Sequence, residues 1–102
     1  MNKVTETPDK WTLILIDNSL HKVYATNADS WRLNSGIKEV KQDKGYFYLY
    51  GYSGSCYKCH KKGYGTASLY SKMTLHGIVD KSEGRIQILT EKEAVDWIKD
   101  QI

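Results

Sequence analysis

Tyr46-Phe47-Tyr48-Leu49-Tyr50-Gly51-Tyr52 is the stretch on which the fold turns. A tyrosine stands at every second position, and Phe and Leu fall between them. In an extended strand successive side chains point to opposite faces. That period places Tyr46, Tyr48, Tyr50 and Tyr52 on one face, with Phe47 and Leu49 on the other. A helix would scatter the same residues around its axis. Aromatic and branched residues alternating in this way predict a half-buried β-strand, with Phe47 and Leu49 turned to the core.

Working outward, turn chemistry brackets the strand. Asp43-Lys44-Gly45 precedes it and Ser53-Gly54 follows it. Asp bonds its own backbone and Gly accepts positive φ, so both segments predict tight turns. The neighbouring strands are then Ile37–Lys41 and Ser55–His60. Further out, Trp11–Ile16 and Leu20–Tyr24 flank Asp17-Asn18-Ser19 and predict a hairpin. Thr26–Ser30 reads as a loop or a single helical turn. Lys61–Thr66 reads as a flexible, basic, glycine-flanked loop. Leu69–Val79 reads as a ragged strand interrupted by Gly77, and Lys81–Gly84 as a turn into Arg85–Leu89.

The chain closes in a helix at about residues 91–101. Thr90 is its N-cap, and Glu93, three residues on, completes a capping box. Ala94, Trp97, Ile98 and Ile102 share one face at helical spacing. Residues 1–10 are polar, hold the only proline and predict a flexible N-terminal arm before a single domain over 11–102. The fold class expected is mainly β (α+β): an antiparallel meander or small barrel of six or seven strands with one C-terminal helix.

The 102 residues suit one modest core. Eight Tyr against one Phe is an unusual balance. Tyrosine carries an apolar ring and a polar tip, which suits half-exposed sheet faces and binding surfaces. The net charge is only +3, but no Asp or Glu occurs between Asp43 and Asp80, where Lys44, Lys58, Lys61, Lys62 and Lys72 lie. That segment predicts a positive potential. The N-terminus shows no apolar signal core, and no run approaches the length of a membrane span. A cytoplasmic protein with reduced cysteines and no membrane partner is the expectation.

Cys56-Tyr57-Lys58-Cys59-His60 matches the spacing of c-type haem attachment, with His60 as proximal ligand. Cys56 and Cys59 also have the spacing of a zinc knuckle, to which His60, His76 and His21 could add ligands, but no second tidy ligand pair follows. Both readings meet the same obstacle: the motif lies in a predicted strand, where residues three apart face opposite ways. No cofactor is therefore expected. Hydrolytic and phosphate-loop motifs are missing as well, so the expectation is a protein that binds rather than one that catalyses.

The candidate ligand-binding residues are Tyr48, Tyr50, Tyr52, Ser55, Tyr57, Lys58, Lys61, Lys62 and Arg32. Aromatic rings stack on bases, amines meet phosphates, and Arg32, next to Trp31, offers a bidentate anion contact. Other uses of the same aromatic face are RNA or single-stranded DNA binding, a protein-interaction module or a homo-oligomer interface.

Asn34-Ser35-Gly36-Ile37, followed two strands later by Ser53-Gly54-Ser55-Cys56-Tyr57-Lys58-Cys59, resembles a strand motif of small phage accessory proteins of the Thoeris anti-defence sponge type. Ser35, Ser55 and Tyr57 are the matching positions. Where the motif has Asn-Ser this chain has Gly54-Ser55, and Cys59 replaces a Leu. The resemblance implies a phage-type anti-defence protein that sequesters a small nucleotide signal or blocks a host factor in the host cytoplasm.

Overall fold

A computed structural model describes residues 3–102. Met1 and Asn2, part of the expected arm, lie outside the described residues. The described residues are mainly β, with seven strands in two antiparallel sheets and a C-terminal helix preceded by one other helix. β1 (Lys10–Ile16), β2 (Leu20–Asn27), β3 (Ser30–Leu33) and β7 (Ile86–Ile88) form one sheet in the order β3-β2-β1-β7. β4 (Ile37–Gln42), β5 (Tyr46–Gly51) and β6 (Cys56–His60) form the other, in that order. The expected meander is thus divided into two sheets of sequential hairpins, except that β7 returns to pair with β1.

β1 shows why there are two layers on either side of the larger sheet. Trp11 and Leu13 face the smaller sheet and share a core with Phe47, Leu49, Val40 and Cys59. Ile14, from the other face of β1, packs with Tyr24 and with Leu75 of α1 (Leu69–Lys81). A strand buried on both faces needs apolar residues without alternation, which is how 11–16 reads. The β1–β2 hairpin turns through Asp17 and Asn18, both at positive φ (52° and 58°), a conformation that Asn and Asp tolerate better than most residues.

α2 (Glu91–Asp100) closes the inter-sheet core with Ala94 and Ile98. Its cap is the expected one: Thr90 accepts from the Glu93 amide, and the Glu93 carboxylate accepts from the Thr90 amide at 2.8 Å. The segment expected as a ragged strand over 69–79 is instead α1. Ser68 starts it, accepting from the Ser71 amide at 3.1 Å while Ser71 Oγ accepts from the Ser68 amide. Its apolar residues do not gather on one stripe: Leu75 is buried, whereas Leu69, Tyr70 and Met73 are exposed. That scatter is what made the periodicity read as irregular strand. Ser68→Ala should cost about 1 kcal/mol by removing the cap, read as a lowered urea midpoint; an unchanged midpoint would show that packing alone holds this helix end.

Two expected loops are tied down. The polar N-terminal segment runs along the free edge of β6: the Thr5 amide donates to the Cys56 carbonyl (2.8 Å), and the Lys58 amide to that of Glu6 (2.9 Å). Pro8 is buried. The Lys61–Thr66 loop is pinned to β1, where the Trp11 amide donates to the Gly63 carbonyl and the Gly65 amide to that of Trp11. The expected loop at 26–30 shrinks to a tight turn at Ala28 and Asp29, because β2 runs to Asn27 and Ser30 opens β3.

Candidate functional site

The larger sheet is covered on both faces. The smaller one packs its inner face against the core, and neither helix contributes to its outer face. Register assigns the residues of that outer face. Tyr50 stands opposite Glu39 and Cys56, Tyr48 opposite Lys41 and Lys58, and Tyr46 opposite His60. Directly opposed residues of an antiparallel pair share a face, so the three tyrosines of β5 form its central row.

Amines lie over these rings. Lys58 Nζ is 4.4 Å from the Tyr46 ring centre and 6.0 Å from that of Tyr48, and Lys41 Nζ is 5.6 Å from that of Tyr50. These are cation–π distances. His60 meets Tyr46 edge to face at 5.2 Å. One hydrogen bond fixes the row's middle ring: the Tyr48 hydroxyl donates to Asp43 Oδ2 at 2.7 Å. That bond holds the Asp43 carboxyl below its usual range and pushes the Tyr48 hydroxyl up to about 12, so Tyr48 stays a neutral donor at any ordinary pH. The Asp43 carboxylate also accepts from the Gly45 and Tyr46 amides, which makes the turn chemistry and the placement of the platform one arrangement. Flat, aromatic and edged with movable ammonium groups, this surface can hold planar π-systems while meeting anions beside them.

The predicted site residues separate into two groups. Tyr48, Tyr50 and Lys58 come together on the platform, and Lys62 is exposed in the turn that leaves β6. The others stand elsewhere. Tyr52 leaves the alternation because β5 stops at Gly51; its amide donates to the Gly36 carbonyl, and its ring lies where a Cβ on Gly36 would begin, 3.0 Å away. Gly36, at φ +123°, is the residue that permits both the bend and the approach. Lys61 is drawn to the end of β4, its ammonium bonded to Gln42 Oε1 at 2.9 Å. Tyr57 points into the core, and Arg32 sits on the other sheet, 3.4 Å from the Glu6 carboxylate. Ser55 lies in the β5–β6 turn, its carbonyl accepting from the Gly51 amide. Near it, Ser35 Oγ accepts from the Ser53 amide at 3.0 Å. The two turns that carry the phage-type motif therefore meet, while its tyrosine faces away from them.

Cys56 and Cys59 lie on opposite faces of β6. Cys56 stands among the tyrosines beneath the N-terminal segment, and Cys59 is in the inter-sheet core. Burial pushes both thiols up, that of Cys59 well above its usual value, and Tyr50 bonding to Cys56 only partly offsets this. Burial thus favours the neutral thiol at both positions. Sequence reasoning missed Lys41, which enters the face only through the β4–β5 register. A bulge between Ile37 and Glu39 sets that register, and it has no signature in the sequence.

Among the described residues no helix is long and apolar enough to cross a membrane. No protein-family model, curated protein or solved structure matches this chain.

Proposed function

We propose that this protein is a non-enzymatic nucleotide-binding module whose outer β4-β5-β6 face takes single-stranded nucleic acid. The observation that carries the reading is the half-buried row Tyr46-Tyr48-Tyr50 with Lys58 and Lys41 seated over its rings. Those amines already occupy the places that bases would take. A bound strand would displace them sideways onto its phosphates, exchanging each cation–π contact for base stacking plus an ion pair. Three rings in a row on a flat face suit successive bases better than one enclosed ligand. Capture of a small nucleotide signal, the anti-defence activity that the motif at Ser35 and Ser55 implies, is the second reading. It is favoured by the meeting of the Ser35 and Ser53 turns beside Tyr52.

Fluorescence anisotropy with a labelled oligothymidylate of about 12 nucleotides, the scale of one small β-module's site, separates them. Tyr46→Ala and Tyr48→Ala should each weaken binding by about 5- to 100-fold, the range of one lost stacking contact. Lys58→Ala should reduce the salt slope by about 0.7, the single-strand value for one phosphate contact. A wild-type slope near zero, with a dinucleotide binding as tightly as the oligomer, would favour the small-ligand reading. Oligomer binding that survives the Tyr46→Ala/Tyr48→Ala double variant would sink this use of the face.

A further inference from the structure

We infer that α1 is the contact helix of a two-fold dimer of this chain. The helix buries Ser71 and Leu75 against the larger sheet, and on the opposite side it turns apolar residues to solvent: Leu69 is 72% exposed, Tyr70 61% and Met73 64%. Monomers keep large apolar side chains apart on their surfaces; here three lie within two helical turns. Ser71, on the sheet-facing side, is held there by the buried Tyr24, whose hydroxyl donates to its carbonyl at 2.8 Å.

Gly77 supplies an independent observation. It sits mid-helix on the ridge of Leu69 and Met73, at i+8 and i+4, and a Cβ built on it meets nothing within 4 Å. Glycine weakens a helix interior, and nothing within this chain requires it there. It does leave a notch one turn from an exposed methionine. A knob and a notch on one ridge are what an isologous contact uses, since the same patch must serve both partners.

Laid antiparallel across a two-fold axis midway between positions 73 and 77, two copies of α1 put Met73 of each over Gly77 of the other. The same register sets Tyr70 opposite Asp80 and Leu69 opposite the aliphatic stem of Lys81. The hydroxyl then has a carboxylate to donate to, and the apolar side chain has a stem to cover it. This match of shape and charge selects a second copy as the occupant. An anionic surface would instead meet Asp80, exposed near the C-terminal end of α1.

Sedimentation velocity of the full chain over about 1–300 µM tests the dimer, since one helix pair makes a small interface with affinity in the micromolar range. A reversible monomer–dimer equilibrium is expected. Met73→Glu should weaken it at least about tenfold by placing a charge in the apolar contact, and Gly77→Leu should do the same by filling the notch. Gly77→Leu should at the same time raise the thermal midpoint of the diluted monomer, which separates lost contact from lost folding. Tyr46→Ala should leave the equilibrium unchanged. A monomer at every concentration overturns the inference, as does a dimer that either helix variant leaves intact or that Tyr46→Ala abolishes.

Discussion

Trp11→Ala is expected to destabilise the protein by about 3–5 kcal/mol, the range for removing a large aromatic from a close-packed core. That is a large share of the stability of a domain this size. Trp11 is fully buried, with Phe47 edge-on at 6.1 Å and Tyr64 at 4.9 Å. Its indole N–H donates to the His60 carbonyl at 2.7 Å, joining β1 of one sheet to the end of β6 in the other. Alanine leaves a cavity and removes one of the two hydrogen bonds to the His60 carbonyl, which keeps that from the Gly63 amide at 2.9 Å. Trp11→Phe keeps most of the packing and isolates the lost hydrogen bond, at about 0.5–1.5 kcal/mol. Urea unfolding followed by circular dichroism measures both. A cost below about 2 kcal/mol for the alanine variant, under the range for such truncations, would mean that the two sheets do not depend on this ring.

Tyr64→Phe is the second large effect, and it comes from a residue in what reads as a loop. Its hydroxyl accepts from the Leu13 amide at 3.0 Å and donates to the Leu89 carbonyl at 2.6 Å, stitching β1 to the chain just beyond β7. Phenylalanine retains the ring and deprives both backbone groups of a partner, at about 2–4 kcal/mol for two half-buried groups. Burial pushes the Tyr64 hydroxyl up to about 12, against a usual value of 10.0. A phenol whose pKa is higher folded than unfolded contributes stability that is complete below the unfolded value and disappears as pH rises through the folded one. Wild-type stability should therefore fall between pH 10 and about 12, and Tyr64→Phe should show a shallower fall over that window. Equal slopes for the two proteins would remove Tyr64 as a source of alkaline sensitivity.

How much of the platform was legible follows from its geometry. Alternation along β5 is a local property, so the facing of Tyr46, Tyr48 and Tyr50, and of Phe47 and Leu49 toward the core, could be read directly. The same period separated Cys56 from Cys59. Lys41 and His60 join the face through inter-strand register, and a one-residue slip in register would turn each to the other side. Tyr52 and Lys61 were misplaced because the alternation stops where β5 and β6 end. Tyr57 alternates with Lys58 along β6 and so turns to the core, and Arg32 stands on β3, in the other sheet.

Period and capping act over a few residues, and they encode a β-rich chain, the central tyrosine strand, the β1–β2 hairpin and the capped C-terminal helix. The tertiary structure alone decided the division into two sheets, the docking of the N-terminal segment on β6 and the helical state of residues 69–81. That last case shows the physical reason. Helical periodicity is visible when one face is apolar and the other polar. α1 is apolar on the side that meets the sheet and apolar again at Leu69, Tyr70 and Met73, so its pattern carries two apolar faces superimposed, and only the packed structure separates them.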